Sequence, residues 1–100
     1  MRYARKVDAN QTAVVSALLG AGAVVEDLSG AGDGLPDLLV GSKKSGRFAL
    51  FEVKDGAKPK SAQKLTPAQV KFHEKWAGFA ICTVDGPEAA LRHFRVLDGT

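Results

Sequence analysis

The sequence predicts an α/β protein with helices packed on a mixed central sheet, and three observations support this prediction. Apolar segments alternate with polar turns in the order helix, strand, strand, strand, helix, strand, helix. A polar turn at residues 42–46 separates two of the strands. The segment Thr66-Pro67-Ala68-Gln69 is a strong helix start, with Thr at the N-cap, Pro first and Gln third. With 100 residues, we expect a single domain over 1–100.

The first helix is predicted to begin at Asp8, which can cap it, with Gln11 in the reciprocal position three residues later. Gly20 and Gly22 end it, because glycine readily adopts the left-handed conformation that follows helices. Its inward stripe consists of apolar residues at helical spacing, namely Val14, Val15, Leu18 and Leu19.

Three strands follow this helix. Residues 23–28 are the first, and residues 29–34, with three glycines, form a flexible loop. Residues 38–40 and 47–54 are the other two, on either side of the polar turn. We therefore expect these two strands to pair as an antiparallel hairpin.

The second half begins with a polar, basic surface loop at residues 55–64. The helix that starts at Thr66 ends at Gly78, residues 79–84 form a buried strand, and residues 85–88 start a last helix. The inward residues of that last helix are Ala90, Leu91, Phe94 and Leu97. The middle helix is carried by Val70, Phe72, His73 and Trp76, and we expect Phe72 and Trp76 to be core residues rather than a platform for stacked bases.

The composition is that of an ordinary globular protein, with 45% apolar and 25% charged residues. Its apolar runs are too short to cross a bilayer, and residues 1–6 are basic without the apolar stretch of a secretion signal. The single Cys82 has no partner for an internal disulfide and is interpreted as a small buried hydrophobe. These features favour a reducing cytoplasmic location without a membrane partner.

The basic residues are concentrated in one part of the chain. Residues 42–75 hold nine Lys and Arg against three acids, whereas the rest holds five basic and eight acidic residues. Such a zone suggests attraction of a polyanion, although a solvated lysine-rich surface would give the same pattern. The candidate contacts to DNA phosphates are Lys43, Lys44, Lys58, Lys60, Lys64 and Lys71.

Two carboxylates and a lysine stand at the ends of neighbouring strands. Asp37 follows Pro36, which fixes the backbone before it, at the mouth of one apolar run. Glu52 and Lys54 lie one residue apart at the end of another run, so alternation sends both to one face. This arrangement predicts a divalent-metal site with a cation beside it, which suits cleavage of a phosphodiester.

The expected cofactor is a divalent cation such as Mg²⁺, with no nucleotide cofactor. Magnesium prefers oxygen ligands and usually takes one or two carboxylates. Asp37 and Glu52 provide that pair, and the main-chain carbonyl of Val53 can add a third oxygen. Lys54 can orient or deprotonate a water molecule, or stabilise the negative charge that develops on the phosphate.

These motifs resemble a known nuclease signature. Pro36-Asp37, fourteen intervening residues and Glu52-Val53-Lys54 are similar to the PD-(D/E)XK motif, whose restriction-endonuclease-like core has the order αβββαβ. Gly34-Leu35-Pro36-Asp37-Leu38, then 51–56, then Leu65-Thr66-Pro67-Ala68-Gln69 resemble stand-alone VRR-NUC domains, which are often phage-encoded. The resemblance covers nearly the whole chain.

The resemblance implies a metal-dependent DNA endonuclease that acts on branched DNA, with four-way junctions as the preferred substrate. It implies Mg²⁺ or Mn²⁺ with ligands at Asp37 and Glu52, catalytic help from Lys54 and a site role for Gln69. Many relatives carry a Glu on the first helix, where this chain has Gln11, so Gln11 is only a candidate accessory residue. If the protein is phage-encoded, it would work in the cytoplasm of the bacterial host.

Each candidate also has a purely structural interpretation. Asp37 could be a turn residue, and Glu52 and Lys54 could be a solvent-facing strand pair. Gln69 completes a capping box with Thr66, and Gln11 also sits at a cap position.

Two symmetric cuts in a junction require two active sites, so we expect a homodimer. The alternatives are a flap or single-strand nuclease, and a DNA-binding accessory protein with little cleavage.

Overall fold

The computed structural model describes residues 9–99, and the predicted order of helices and strands is confirmed in this range. One element was not predicted, because a short 3₁₀ helix, Lys60–Gln63, interrupts the expected loop. The elements are α1 (Ala9–Gly20), β1 (Val24–Asp27), β2 (Leu38–Gly41), β3 (Phe48–Val53), α2 (Pro67–Lys75), β4 (Ile81–Val84) and α3 (Pro87–Asp98). Asp8, the predicted cap of α1, lies outside the described residues.

The four strands form one mixed sheet in the order β1-β2-β3-β4. The first three run antiparallel, which confirms the predicted hairpin, and β4 joins β3 in parallel. In the register, Leu38 pairs with Phe51, and Val53 pairs with Val84. The protein is therefore α/β, because the parallel pair requires a crossover and α2 lies within it.

The apolar core lies between the sheet and the helices α1 and α3. Val14 and Leu18 of α1 and Phe94 of α3 are buried against Phe51 and its neighbours on the same sheet face. The prediction for Leu19 was wrong, since this side chain is 55% exposed. A step of one residue turns a side chain by about 100° around the helix, which takes Leu19 away from the core that Leu18 enters.

The opposite face of the sheet carries α2, and every residue of this helix is half-buried or exposed. The expectation that Trp76 is a core residue was wrong, because 37% of this residue is exposed; Phe72 is half-buried. Phe79 was expected in a buried strand but precedes β4 and is 66% exposed. This face is therefore only partly covered.

The N-terminus of α2 is fixed by the two contacts that the sequence predicts. Thr66 accepts a hydrogen bond from the Gln69 backbone, and the Gln69 side chain accepts one from the Thr66 backbone. Gly34 makes a second contact, because a Cβ atom there would stand 2.3 Å from the Ala68 carbonyl oxygen. The loop before Asp37 is thus pressed against the first turn of α2.

Two further sequence predictions concern Cys82 and membrane segments. Cys82 packs against the core but is only half-buried, and burial raises the pKa of its thiol. Among residues 9–99, no helix has both the length and the apolar character needed to span a membrane.

Candidate metal centre

The ends of β2 and β3 bring the two predicted carboxylates together. Leu38 pairs with Phe51, so the next pair along these antiparallel strands is Asp37 with Glu52. The side chains of Leu38 and Phe51 enter the α1/α3 core. Alternation therefore directs Asp37 and Glu52 to the other face, beneath the N-terminal turn of α2.

Glu52 is a buried carboxyl beside a second carboxyl. It is 2% exposed and lies beside the carboxyl group of Asp37. Burial, followed by the interaction with the Asp37 carboxyl, raises the pKa of Glu52 to about 8, while Lys54 acts in the opposite direction. Without a metal ion, this raised pKa favours the protonated form of Glu52 at neutral pH.

The backbone of β3 aims Asp37 at this position. The Val53 amide donates a hydrogen bond of 2.8 Å to Asp37 Oδ2. In the continued register Val53 stands opposite Pro36, which has no N–H to donate to the Val53 carbonyl. The same proline that sets the backbone before Asp37 therefore leaves this carbonyl without a ladder donor from β2.

Gln69 joins the helix α2 to the charged groups of β3. Its Nε2 donates to Glu52 Oε2 at 3.1 Å, and its Oε1 accepts from Lys54 Nζ at 2.9 Å. The same Oε1 also accepts from the Thr66 amide at 2.8 Å, which is half of the capping box. The structural and site interpretations of Gln69 are therefore compatible, because one side-chain amide makes both sets of contacts.

The donor set fits a hard divalent cation. Glu52 Oε1 is buried and has no hydrogen-bond partner among the described residues. Asp37, Glu52 and the Val53 carbonyl provide oxygen atoms, the ligand type that Mg²⁺ and Mn²⁺ prefer. Within residues 9–99 no three His, Cys, Asp or Glu side chains converge, so water and a phosphate would supply the remaining ligands.

Asn10, on the first turn of α1, is a site residue that sequence analysis missed. Its Nδ2 donates to the carbonyl of Lys54 at 2.7 Å and to that of Asp85 at 3.2 Å. It thereby ties the ends of β3 and β4 together behind Lys54. Asparagine in a helix favours hydrogen bonds to nearby backbone groups, and this tendency was the available signal.

Gln11, the candidate accessory residue, is buried and lines a groove between α1 and β1, together with Val15 and Asp27. The hydrogen bonds that join Glu52, Lys54 and Gln69 do not include it.

The six candidate lysines are all exposed, but they lie in different places. Lys43 and Lys44 occupy the turn between β2 and β3, at the end of β2 opposite Asp37. The length of β2 puts this turn about 13 Å from the carboxylates. Lys58, Lys60 and Lys64 lie between β3 and α2, and Lys71 lies on α2.

Comparison with known proteins identifies no relative. No family model, curated protein or solved structure matches this chain.

Proposed function

We propose that this protein is a Mg²⁺- or Mn²⁺-dependent endodeoxyribonuclease of the PD-(D/E)XK class, similar to stand-alone VRR-NUC domains. The observation that carries the proposal is the buried Glu52 carboxyl beside the half-buried Asp37 carboxyl, with Lys54 held next to them by Gln69. Burying a carboxyl next to a second carboxyl opposes folding, and a divalent cation bound by both would offset that cost. The sequence of elements from α1 to β4 is compatible with the αβββαβ core.

A cation held by Asp37, Glu52 and the Val53 carbonyl would activate a water molecule and offset the charge of the scissile phosphate. The chain itself fixes the geometry around that position. The Val53 amide holds Asp37, and Gln69 Nε2 holds one oxygen of Glu52, while the other oxygen is buried and has no hydrogen-bond partner among the described residues.

Lys54 supplies the positive charge for the reaction. Hydrolysis joins the oxygen of water to phosphorus and breaks one P–O ester bond, while negative charge grows on the phosphate oxygens. Gln69 Oε1 holds the Lys54 ammonium at 2.9 Å, within reach of the same strand end as Glu52. Lys54 can therefore orient the water or stabilise the developing charge without reorganising.

The proposal is tested by cleavage of duplex, flap and four-way-junction DNA with Mg²⁺ or Mn²⁺. Wild type should cut at least one of these substrates, and chelation should abolish cutting. Asp37→Asn and Lys54→Ala should each reduce the rate by about a hundredfold or more while leaving DNA binding in place. Arg92→Ala is the matched control, because it removes an exposed cation from α3, which packs on the other face of the sheet.

The outcomes separate the alternatives. Undiminished cutting by Asp37→Asn and Lys54→Ala would end the enzymatic assignment, and binding without cutting by wild type would favour an accessory protein. Preference for four-way junctions, together with a dimer in sedimentation, supports the resolvase form. A monomer that nicks one strand of flaps or single strands supports the other nuclease form. The same proposal includes a reducing cytoplasm as the location of the protein. If the protein is phage-encoded, this is the cytoplasm of the bacterial host.

A further inference from the structure

Three aromatic rings form an open cluster at the C-terminal end of α2 and in the turn that follows it. Phe72 and Trp76 stack with centroids 5.8 Å apart and planes 21° from parallel, and Phe79 meets Trp76 edge-on at 5.1 Å. Phe79 is the most exposed of the three. Exposed aromatic rings contribute little to a core, and a group of them on the surface is typical of a binding site.

Lysines line the groove beside these rings. The groove measures about 300 Å³ and is lined by Asp33, Ala68, Lys71, Phe72, Lys75 and Trp76. The lysines stand on the strip of α2 that also contains Ala68 and Phe72, at helical spacings of three and four residues. The groove lining includes two ammonium groups and one carboxylate, so its charge together with its rings suits an anionic, partly aromatic ligand.

We propose that this groove binds unpaired nucleotides of a nucleic-acid strand. The exposed rings can stack on bases, and Lys71 and Lys75 can contact the phosphates on either side. A duplex cannot use the rings in this way, since its base faces are already stacked. The charge on the groove walls favours this ligand over an apolar protein surface, which would have to desolvate both lysines.

The groove and the candidate metal centre are joined by α2, which carries Gln69 at one end and the groove residues Lys71, Phe72 and Lys75 further along, and this step rests on the proposed function. Gln69 and Trp76 are two turns apart on one side of α2, a separation of about 10 Å. That length spans at most about three nucleotides, because the 3.4 Å spacing of a stacked strand is shorter than that of an extended, unpaired one. The scissile bond would therefore lie within about three nucleotides of an unpaired stretch, which makes DNA with a single-stranded arm or gap the substrate class.

The chain contains a single tryptophan, so its fluorescence reports directly on the groove. Oligo-dT of twelve nucleotides, added in the presence of EDTA to prevent cleavage, should quench the fluorescence of Trp76 until the binding site is saturated. A duplex of the same length should bind about tenfold more weakly or worse, because it lacks the stacking contribution. Equal affinity for duplex, or saturable binding that leaves the fluorescence unchanged, overturns the proposal.

Variants separate stacking from charge. With a fluorescent oligo-dT followed by anisotropy, Trp76→Leu should weaken binding about tenfold, whereas Trp76→Phe keeps a ring and should retain most of it. Lys71→Ala should weaken binding and reduce its salt dependence, and Arg92→Ala, on α3 at the other face of the sheet, should have a smaller effect. Equal losses for Trp76→Leu and Trp76→Phe, or for Lys71→Ala and Arg92→Ala, contradict the assignment.

A second copy of the chain is the competing occupant. If Trp76 fluorescence depends on protein concentration without DNA, and Trp76→Leu dissociates a dimer in sedimentation, the groove is an interface and the proposal fails. Its outcome is separate from that of the nuclease assignment. If wild type binds oligo-dT but cuts no substrate, the nucleotide-binding proposal stands and the nuclease proposal fails. If wild type cuts DNA but does not bind oligo-dT, the nuclease proposal stands and the nucleotide-binding proposal fails.

Discussion

The two faces of the sheet are built from the same strands but bury different chemistry. Neighbouring residues of β3 show the contrast, because Phe51 enters the apolar core and Glu52 enters a polar pocket under α2. Two helices cover the first face, and a single short helix covers part of the second. The comparison teaches that one face provides stability, while the other can hold two adjacent carboxyls at a cost to stability.

The largest expected effect compares two phenylalanines on opposite faces. Phe51→Ala should lower the free energy of unfolding by about 3–5 kcal/mol, since it opens a cavity in the core. Phe79→Ala should change it by less than about 1 kcal/mol, because this side chain is mostly exposed. Urea unfolding followed by circular dichroism measures both, and similar losses would mean that the α2 face is also a core.

Glu52 provides the second comparison, through pH. Its folded-state pKa of about 8 lies above the ordinary value of 4.5, so the folded protein retains a proton that the unfolded chain loses. The stability of the metal-free protein should therefore fall as the pH rises from about 5 to about 8, by on the order of a few kcal/mol.

Glu52→Gln should remove most of this pH dependence and make the protein more stable at pH 8, while abolishing metal-dependent cleavage. Thermal unfolding in EDTA across this pH range measures the effect. Mg²⁺ should raise the midpoint of wild type more at pH 8 than at pH 5.5, because the proton and the metal compete. A wild-type profile as flat as that of Glu52→Gln would contradict the buried carboxyl pair.

Gly34 and Gly46 form a matched pair for the contact between the Asp37 loop and α2. Both have positive φ, of 77° and 73°, but only Gly34 has backbone within reach of an added Cβ. Gly46→Ala should cost about 1 kcal/mol from the left-handed conformation alone. Gly34→Ala should cost about 1–3 kcal/mol more and reduce cleavage, because α2 and Gln69 must move. Denaturant unfolding and cleavage rates of the two variants provide the comparison, and equal costs would show that the contact is not tight.

The smallest expected effect separates the two roles of Gln69. Thr66→Ala removes one capping hydrogen bond and should cost about 1 kcal/mol of stability with little change in cleavage. Gln69→Ala removes the cap and also releases Glu52 and Lys54, so cleavage should fall at least tenfold for a similar loss of stability. If both variants lose the same activity, Gln69 acts only through the helix end.

Local signals predicted most of the fold. The capping box at Thr66, the polar turn between β2 and β3 and the glycines that end α1 depend on contacts within a few residues, so they can be identified without a three-dimensional context. The 3₁₀ helix was missed because such short turns lack a strong pattern of their own. Trp76 and Phe79 were misjudged because apolarity indicates a tendency to be buried but not whether a neighbour exists to bury them.

The sequence by itself determined which chemical groups are available: an Asp after a proline, a Glu and a Lys of one strand face, and a glutamine at a helix start. Their spacing also set which strands would carry them, since strand alternation and capping are local rules. Only the tertiary structure decided that Glu52 is buried against Asp37, that Asn10 rather than Gln11 contacts the backbone of Lys54, and that the rings on α2 remain open. Burial and contacts between residues distant in sequence depend on how the elements pack, and local patterns do not specify that packing.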